Sequence, residues 1–515
     1  MKTSSPAISE QHGRSSIARH LCSSFIAVAM SFAAASAQTA NSTPVRVDWV
    51  RSAPRLKTSP TLQVVVNPML ERGSPIHDAA FRSLQEAGAD DVRYVPWFPY
   101  PQLAVAELLP PTSSGTSWNF SLIDPMTEDF FAATQGHSVI LNFSTIPAWM
   151  FITKTPVTYP SNPNTVDWNY NQGNHLRDPT MRELGNYYAR LVGWYTRGGF
   201  TDELGRKHRS GHHYKIDYWE VFNEVDFEHQ MTPQQYTRRY DAVVSAIHKV
   251  DPQIKFVGLA LASPGSNPEM FSYFLDHSHH RPGIPLDMIS YHFYATPTRT
   301  QTINEWQYTF FDQADRFLTA VRYVEAIRKR LSPETRTTLD EIGSILPTDN
   351  KPDDATVKIP SAYWNLSGAL YAYVFMKIAK LGIDLAGESQ LVGYPSQFPS
   401  VSMVDWTTGR PNARLRVLDL LHSSFSPGER MAKTRMEGTA IAAQAFLDGT
   451  KKQLLLVNKR NRDAAADLPQ VFEGGQARCV DTATGAGAPS SNAIGKGPLL
   501  LHPFAVCVAT SRESQ

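Results

Sequence analysis

The sequence predicts an α/β fold, a (β/α)8 barrel over residues 60–424 followed by a β-sandwich accessory domain over 425–515. Three observations carry that reading. From residue 60 to about 390, β-branched or aromatic runs alternate eight times with helical stretches, the order that builds a parallel barrel. No Gly-x-Gly-x-x-Gly follows the first of these strands, which removes the signature of a doubly wound dinucleotide fold. From about Gly428 the helical periodicity stops and short strands divided by turns take over.

The chain opens with Arg14 and Arg19 ahead of LCSSFIAVAMSFAAASA, a short apolar run that closes on small residues at Ala35-Ser36-Ala37. That pattern predicts a secretory signal over residues 1–37, too short and Ser-rich for a membrane span, and an exported mature protein, secreted or periplasmic. Residues 38–59 read as a linker, in which PVRVDWV (44–50) could lend the later sandwich an edge strand. TLQVVV (61–66) is the first barrel strand and DAAFRSLQEAG (78–88) a capped helix ending on Gly. Strands follow at DDVRYVPW, HSVILNF (137–143) and KIDYWEVF, with an amphipathic helix from Asp178 between the last two. Thr232-Pro233 starts a helix through Val250, Thr as N-cap and Pro in the first turn. KFVGLALA (255–262), LDMISYHFY (286–294), TTLDEI (337–342) and IDLAGESQL complete the eight. The sandwich strands are AIAAQAFLD, KQLLLVNK, ARCVDTA and GPLLLHPFAVCVAT.

Composition narrows the function. Lys and Arg number 49 against 48 Asp and Glu, a balance that argues against a nucleic-acid or anionic-membrane partner. Cys22 would leave with the signal; Cys479 and Cys507 can pair in an oxidising compartment or stay as buried thiols. The His-rich runs at 212–214 and 276–280 lack Cys or carboxylate at zinc spacing and read as polar loops, so neither a metal nor another cofactor is expected.

The chemistry concentrates in YWEVFNEVDFEH, residues 218–229, where an apolar strand runs into Asn223-Glu224. In a (β/α)8 barrel the C-terminal strand ends carry the chemistry, and Arg93, Asn223, Glu224, His292, Tyr294, Glu341 and Glu388 all fall there. Glu224 and Glu341, after the fourth and seventh strands, would face each other across the mouth. Glycoside cleavage requires such a pair, one carboxylic acid to protonate the leaving oxygen and one carboxylate to meet the oxocarbenium charge. Glu224, beside an amide and near Glu341, is expected to hold its proton and act as acid/base, with Glu341 as nucleophile. Asn223 suits a sugar hydroxyl, Arg93 is placed to keep Glu341 ionised, Tyr294 to donate to the same carboxylate, and His292 to bridge these groups. Each has a plainer reading: Glu224 could cap the next segment or pair with Arg238, Asp340 could carry the role given to Glu341, and His292 could be a core histidine.

VFNEVDFEH with PLDMISYHFYA and TTLDEIGS resembles the retaining glycosidase clan built on (β/α)8 barrels with catalytic glutamates after strands four and seven. Within it the chain resembles glycoside hydrolase family 39, which includes β-xylosidases and α-L-iduronidases, over roughly residues 60–510. The resemblance implies Glu224 as acid/base, Glu341 as nucleophile and Asn223, Arg93, His292 and Tyr294 as supporting residues. It departs from the family at Val225, where many relatives carry Pro, and at Asp340, where Thr or Ser is common.

Pyranose rings pack on aromatic faces; Trp97, Trp149, Trp406 and Tyr394 lie in loops on the expected active face. Glu388 reads as a hydroxyl ligand or as the partner of a nearby Arg. The expected substrate is an oligo- or polysaccharide and the leading activity β-xylosidase-like. An endo-acting exopolysaccharide hydrolase would show a groove instead of a pocket, and a non-catalytic carbohydrate-binding protein would not need both glutamates. Nothing in the sequence sets an oligomeric state.

Overall fold

The computed structural model describes residues 42–50, 54–168, 170, 173–349 and 359–512. The signal segment 1–37 and Cys22 lie outside the described residues. Strand β1 (Thr43–Asp48) precedes the barrel, whose strands are β2 (Ser59–Val65), β3 (Val92–Val95) and β4 (Val139–Leu141). A hairpin of β5 (Gly199–Thr201) and β6 (Lys207–Arg209) interrupts the series, and sequence periodicity did not reveal it because its strands are polar and short. The barrel resumes with β7 (Tyr218–Glu220), β8 (Lys255–Leu261), β9 (Met288–Ala295), β10 (Arg336–Ser344) and β11 (Leu385–Glu388). These eight close in the order β10-β11-β2-β3-β4-β7-β8-β9, every neighbouring pair parallel.

Helices return the chain between strands: α1 (His77–Ala87), α2 (Asp124–Ala133), α3 (Arg182–Thr196), α4 (Pro233–Val250), α5 (Pro268–Phe274), α6 (Ile303–Leu331), α7 (Ser361–Ala379) and α8 (Ala413–His422). Their ends follow local chemistry. Gly88 ends α1 in the left-handed region at φ 56°, and Thr232 opens α4 with a reciprocal capping box to Gln235. α7 is apolar nearly all round because it is buried on nearly every side, reaching both the barrel and the C-terminal sheet. No helix among the described residues is long and apolar enough to cross a membrane.

The C-terminal strands are β12 (Arg430–Met436), β13 (Ile441–Asp448), β14 (Lys451–Asn458), β15 (Ala464–Asp467), β16 (Gln476–Val480), β17 (Ser490–Ala493), β18 (Leu499–Leu501) and β19 (Val506–Thr510). They form the expected β-sandwich layer as a nine-stranded array ordered β17-β16-β19-β14-β13-β12-β1-β15-β18. β1 is therefore an interior strand, not the edge strand read from the sequence: it runs antiparallel to β12 on one side and parallel to β15 on the other. Strand periodicity explains the unbroken apolar run in β14. Leu455 and Val457 join the main core, while Leu454 and Leu456 join a second core within the sheet. Cys479 and Cys507 sit opposite each other on β16 and β19 and are disulfide-bonded. The described residues form one compact unit.

Candidate functional site

Side chains from β2, β7 and β10 converge on Arg93 of β3, whose side chain is 1% exposed. Its Nε donates to Glu220 Oε2 at 2.5 Å and lies 3.2 Å from Asp340 Oδ2. Nη1 donates to Gln63 Oε1 at 2.6 Å and Glu341 Oε1 at 2.5 Å, and Nη2 to Asn223 Oδ1 at 2.7 Å. A planar fork with several donors fits this task; a lysine could not span it. Burial opposes the charge on Arg93, but Glu220, Asp340 and Glu341 outweigh it and keep the guanidinium protonated.

Adjacent strand residues should face opposite sides, yet Asp340 and Glu341 both reach Arg93. Register shifts against both neighbours of β10, between Thr338 and Glu341 on one side and Leu339 and Ile342 on the other, resolve this: the irregularity re-aims the pair. Gly387 allows the close approach of β11 at that point, since a Cβ there would sit 2.8 Å from the Asp340 carbonyl oxygen. At the tip of β7, Phe222 and Glu224 adopt φ 68° and 40°, values that non-glycine residues rarely take and that cluster at functional sites.

Tyr294 donates to Glu341 Oε2 at 2.6 Å. Its one proton being used there, the Ser389 hydroxyl 2.5 Å away supplies the next link, and Gln63 Nε2 donates to Ser389 at 2.6 Å. Both oxygens of Glu341 are thereby held, Oε1 by the Arg93 guanidinium and Oε2 by the Tyr294 hydroxyl, which fixes the orientation of the carboxyl group. His292 Nδ1 lies 2.9 Å from Glu224 Oε1 and 3.5 Å from Glu341 Oε2, and its Nε2 faces Asp340 Oδ1 at 3.4 Å. Burial resists protonation of this imidazole, but Glu341, Asp340 and Glu224 prevail and raise it well above its ordinary range. Oxygens of Glu224 and Glu341 lie within 4.8 Å of each other.

The protons divide unevenly. Burial, with the charge of Glu341, raises Glu224, while the His292 contact opposes the rise. Burial and Asp340 push Glu220 up to about 8, whereas Arg93 and His292 overcome burial and bring Asp340 down to about 2. Glu228 is a further acid: burial, then Glu224, push it up to about 8. Its Oε1 accepts from Trp97 Nε1 at 2.7 Å and Asn223 Nδ2 at 2.8 Å, while Oε2 is buried without a partner among the described residues. Asn223 is thus oriented from both ends of its amide.

These groups open on a pocket of about 100 Å³ lined by Trp97, Asn223, Glu224, Tyr294, Glu341, Gln390 and Phe398 among others. Of the residues predicted from sequence, Arg93, Asn223, Glu224, His292, Tyr294 and Glu341 come together there. Glu388, Trp149 and Trp406 do not. Glu388 is wholly buried and accepts from Arg414 Nε at 3.0 Å, because α8 brings that arginine under the tip of β11. Trp149 donates its Nε1 to the Glu107 carbonyl at 2.8 Å and lies 4.4 Å beneath the Arg177 guanidinium, and Trp406 packs half-buried on the core. Tyr394 bonds through its hydroxyl to Tyr100.

Sequence reasoning missed Gln63, Glu220, Glu228, Ser389 and Phe398. The one available signal was the unusual density of carboxylates in YWEVFNEVDFEH. The His-rich runs are more than polar loops. His280 is buried and bonds Asp241 Oδ1 at 2.7 Å and the Phe274 carbonyl at 2.6 Å. His212, Asp124 and Glu128 come within 4.8 Å of one another. Asp124, however, already accepts from Trp194 and Tyr195, and Glu128 from Arg72.

The family model of the alpha-L-arabinofuranosidase 1 domain matches residues 165–316, a stretch that includes Glu224 and His292 but ends before Glu341. It describes arabinofuranosidases, not the family 39 enzymes that the sequence resembles. No curated protein matches the chain. Among solved structures, the GH51 arabinofuranosidase from Xanthomonas axonopodis pv. citri is similar at TM-score 0.61 and 10% identity, over 92% of this chain and 100% of that one. A GH30 endoxylanase from Clostridium papyrosolvens C71 gives 0.54 and 12%, over 91% and 100%, and a glucosidase from Croceicoccus marinus 0.56 and 16%, over 92% and 100%. At such identities the likeness is one of fold.

Proposed function

We propose that this protein is a retaining glycoside hydrolase in which Glu224 is the acid/base and Glu341 the nucleophile. The observation that carries the reading is the separation of the two carboxylates, with oxygens within 4.8 Å. Retaining enzymes hold their carboxyl groups about 5–5.5 Å apart, whereas inverting ones leave about 6.5–9.5 Å for a water.

In the first step Glu341 attacks the anomeric carbon as the glycosidic bond breaks, and Glu224 gives its proton to the departing oxygen. The glycosyl ester removes the negative charge that had held the proton on Glu224, while the cation of His292 stays beside it. Glu224 therefore ionises more readily and takes a proton from water, whose oxygen attacks the anomeric carbon and frees Glu341. Arg93 and Tyr294 hold Glu341 aimed before attack. Asn223, held between Arg93 and Glu228, has one amide hydrogen left for a sugar hydroxyl.

A compact pocket supports an exo-acting enzyme over the groove-bearing alternative. The arabinofuranosidase domain match and the sequence resemblance to β-xylosidases both point to a pentoside substrate, with a β-xyloside or an α-L-arabinofuranoside the named candidates. The N-terminal signal pattern supports export. The test is intact mass after incubation with 2-deoxy-2-fluoro donors of both pentoses, followed by peptide mapping. An adduct on Glu341 is expected; an adduct on Asp340, or turnover with inversion, would overturn the assignment.

A further inference from the structure

A second cleft, of about 660 Å³, opens between α6 and α7 of the barrel and strands β1, β12 and β13. It shares no residue with the pocket around Glu224 and Glu341. Lys459, just past β14, lines it with a side chain almost wholly inside the protein, the residue being 9% exposed. Its Nζ forms no ion pair among the described residues and instead sits 4.7 Å from the Tyr373 ring centroid and 5.4 Å from that of Phe311. Lys377 places its own Nζ 4.9 Å from the same Tyr373 ring. Two ammonium groups thus share one aromatic ring, with no carboxylate paired to either among the described residues. Burial, with Arg460 and Lys377 beside it, lowers Lys459 from its ordinary range, Asp315 alone opposing.

The rest of the lining adds to the imbalance. Lys380 and Arg435 are exposed on the rim. Arg46 is matched by Glu437 at 3.6 Å, and the other acid, Asp315, is engaged by the Tyr373 hydroxyl at 2.5 Å. Lys377, Lys380, Arg435 and Lys459 are left facing Asp315, in a chain whose overall charge is only +1. A buried cation without a counter-ion is costly, and a ligand that supplied anions would relieve both the desolvation and the mutual repulsion. Thr439 adds a hydroxyl partner, and Tyr373 an aromatic face.

We propose that this cleft is a binding site, separate from the catalytic pocket, for carboxylate-bearing saccharide, a uronate-containing stretch of polysaccharide. That the anion is a sugar rests on the glycosidase reading; that the site takes an anion does not. Lys459 and Lys377 hold a uronate carboxylate over Tyr373, and Lys380 and Arg435 meet the next charge along the chain.

The test is affinity electrophoresis of the full chain in native gels containing polygalacturonate, neutral xylan or dextran sulfate. Polygalacturonate is expected to retard the protein and xylan not to do so through this cleft. The double variant Lys377→Ala/Lys459→Met should weaken the polygalacturonate affinity about 10-fold or more, a loss of about 1.4 kcal/mol per decade, with aryl-glycoside kcat/KM unchanged. The rim variant Lys380→Ala/Arg435→Ala should lower it in the same direction. Retardation unaltered in both variants, or dextran sulfate binding as strongly as polygalacturonate with the same sensitivity to them, would overturn a uronate site. A protein that bound polygalacturonate through these lysines yet cleaved no glycoside would sink the proposed activity and leave the anion site standing.

Discussion

Glu228→Gln separates the charge of a buried acid from its hydrogen bonds. Glutamine keeps one carbonyl oxygen for Trp97 Nε1 and Asn223 Nδ2, which both reach Oε1 of the native residue. In the folded chain Glu228 keeps its proton up to about 8, against an ordinary value of 4.5. Between those limits the folded state binds one proton more than the unfolded state, so stability falls as pH rises, by about 1.36 kcal/mol per unit. Its contribution is complete below the ordinary value and is lost progressively as pH climbs to the folded one. The accumulated loss is about 3 kcal/mol at pH 7 and about 5 kcal/mol by pH 8, upper figures because local relaxation softens burial. Glutamine, having nothing to ionise, escapes it. Denaturation midpoints of both proteins across pH 4.5–8.5 should therefore differ little at the acid end and diverge in favour of the variant towards pH 8. A difference that stays flat with pH, or that favours the native residue at high pH, would refute the reasoning. Because Asn223 stays anchored, kcat/KM at pH 6 should fall less than about 10-fold.

Glu341→Ala should lose about 10⁴-fold or more in kcat and regain part of it in azide, with the glycosyl azide identified by mass. Glu224→Ala should slow substrates with poor leaving groups by about 10²–10⁴-fold while sparing activated aryl ones; equal losses on both would remove the acid role. Gly387→Ala would force a methyl group to within 2.8 Å of the Asp340 carbonyl, shifting the strand that carries Glu341. It should cost about 1–3 kcal/mol of stability by urea titration and a larger share of kcat. Replacing Cys479 and Cys507 together by Ser opens a loop of sequence separation 28 and should destabilise the chain by about 3–4 kcal/mol on chain-entropy grounds, read as a lowered urea midpoint without loss of specific activity.

The barrel was legible because its signal is local. A β-branched run followed by a capped amphipathic helix identifies itself within about twenty residues, and in a (β/α)8 fold the strand tip then places the chemistry. Arg93, Asn223, Glu224, His292, Tyr294 and Glu341 could be collected on that rule alone. The rule gives the end of the barrel on which a side chain lies and not its final partner. Glu388 stands at a tip like the others, yet Arg414, contributed by a later helix, claims it. Trp149 is turned away by a carbonyl forty-two residues earlier in the chain. Glu220 and Glu228 escaped for the opposite reason: nothing local distinguishes a carboxylate that shares a buried proton from one that caps a turn. The bulge at Asp340 and Glu341 is likewise a property of three strands at once, invisible in any one of them.

The interior position of β1 bears on how the molecule is made. Residues 43–48 find their partners only at 433–436 and 466–467, so the strand waits for almost the whole polypeptide before it can be paired. Until then β15 and β18 have no bridge to the rest of their sheet, since β1 alone joins them to β12. Closing so long a span is entropically slow, and an unpaired edge during that interval invites association with other chains. Completion of the sheet is therefore a late event that follows synthesis, and the segment after the barrel is not a detachable module: cut at residue 425, it would lack the strand that joins β12 to β15.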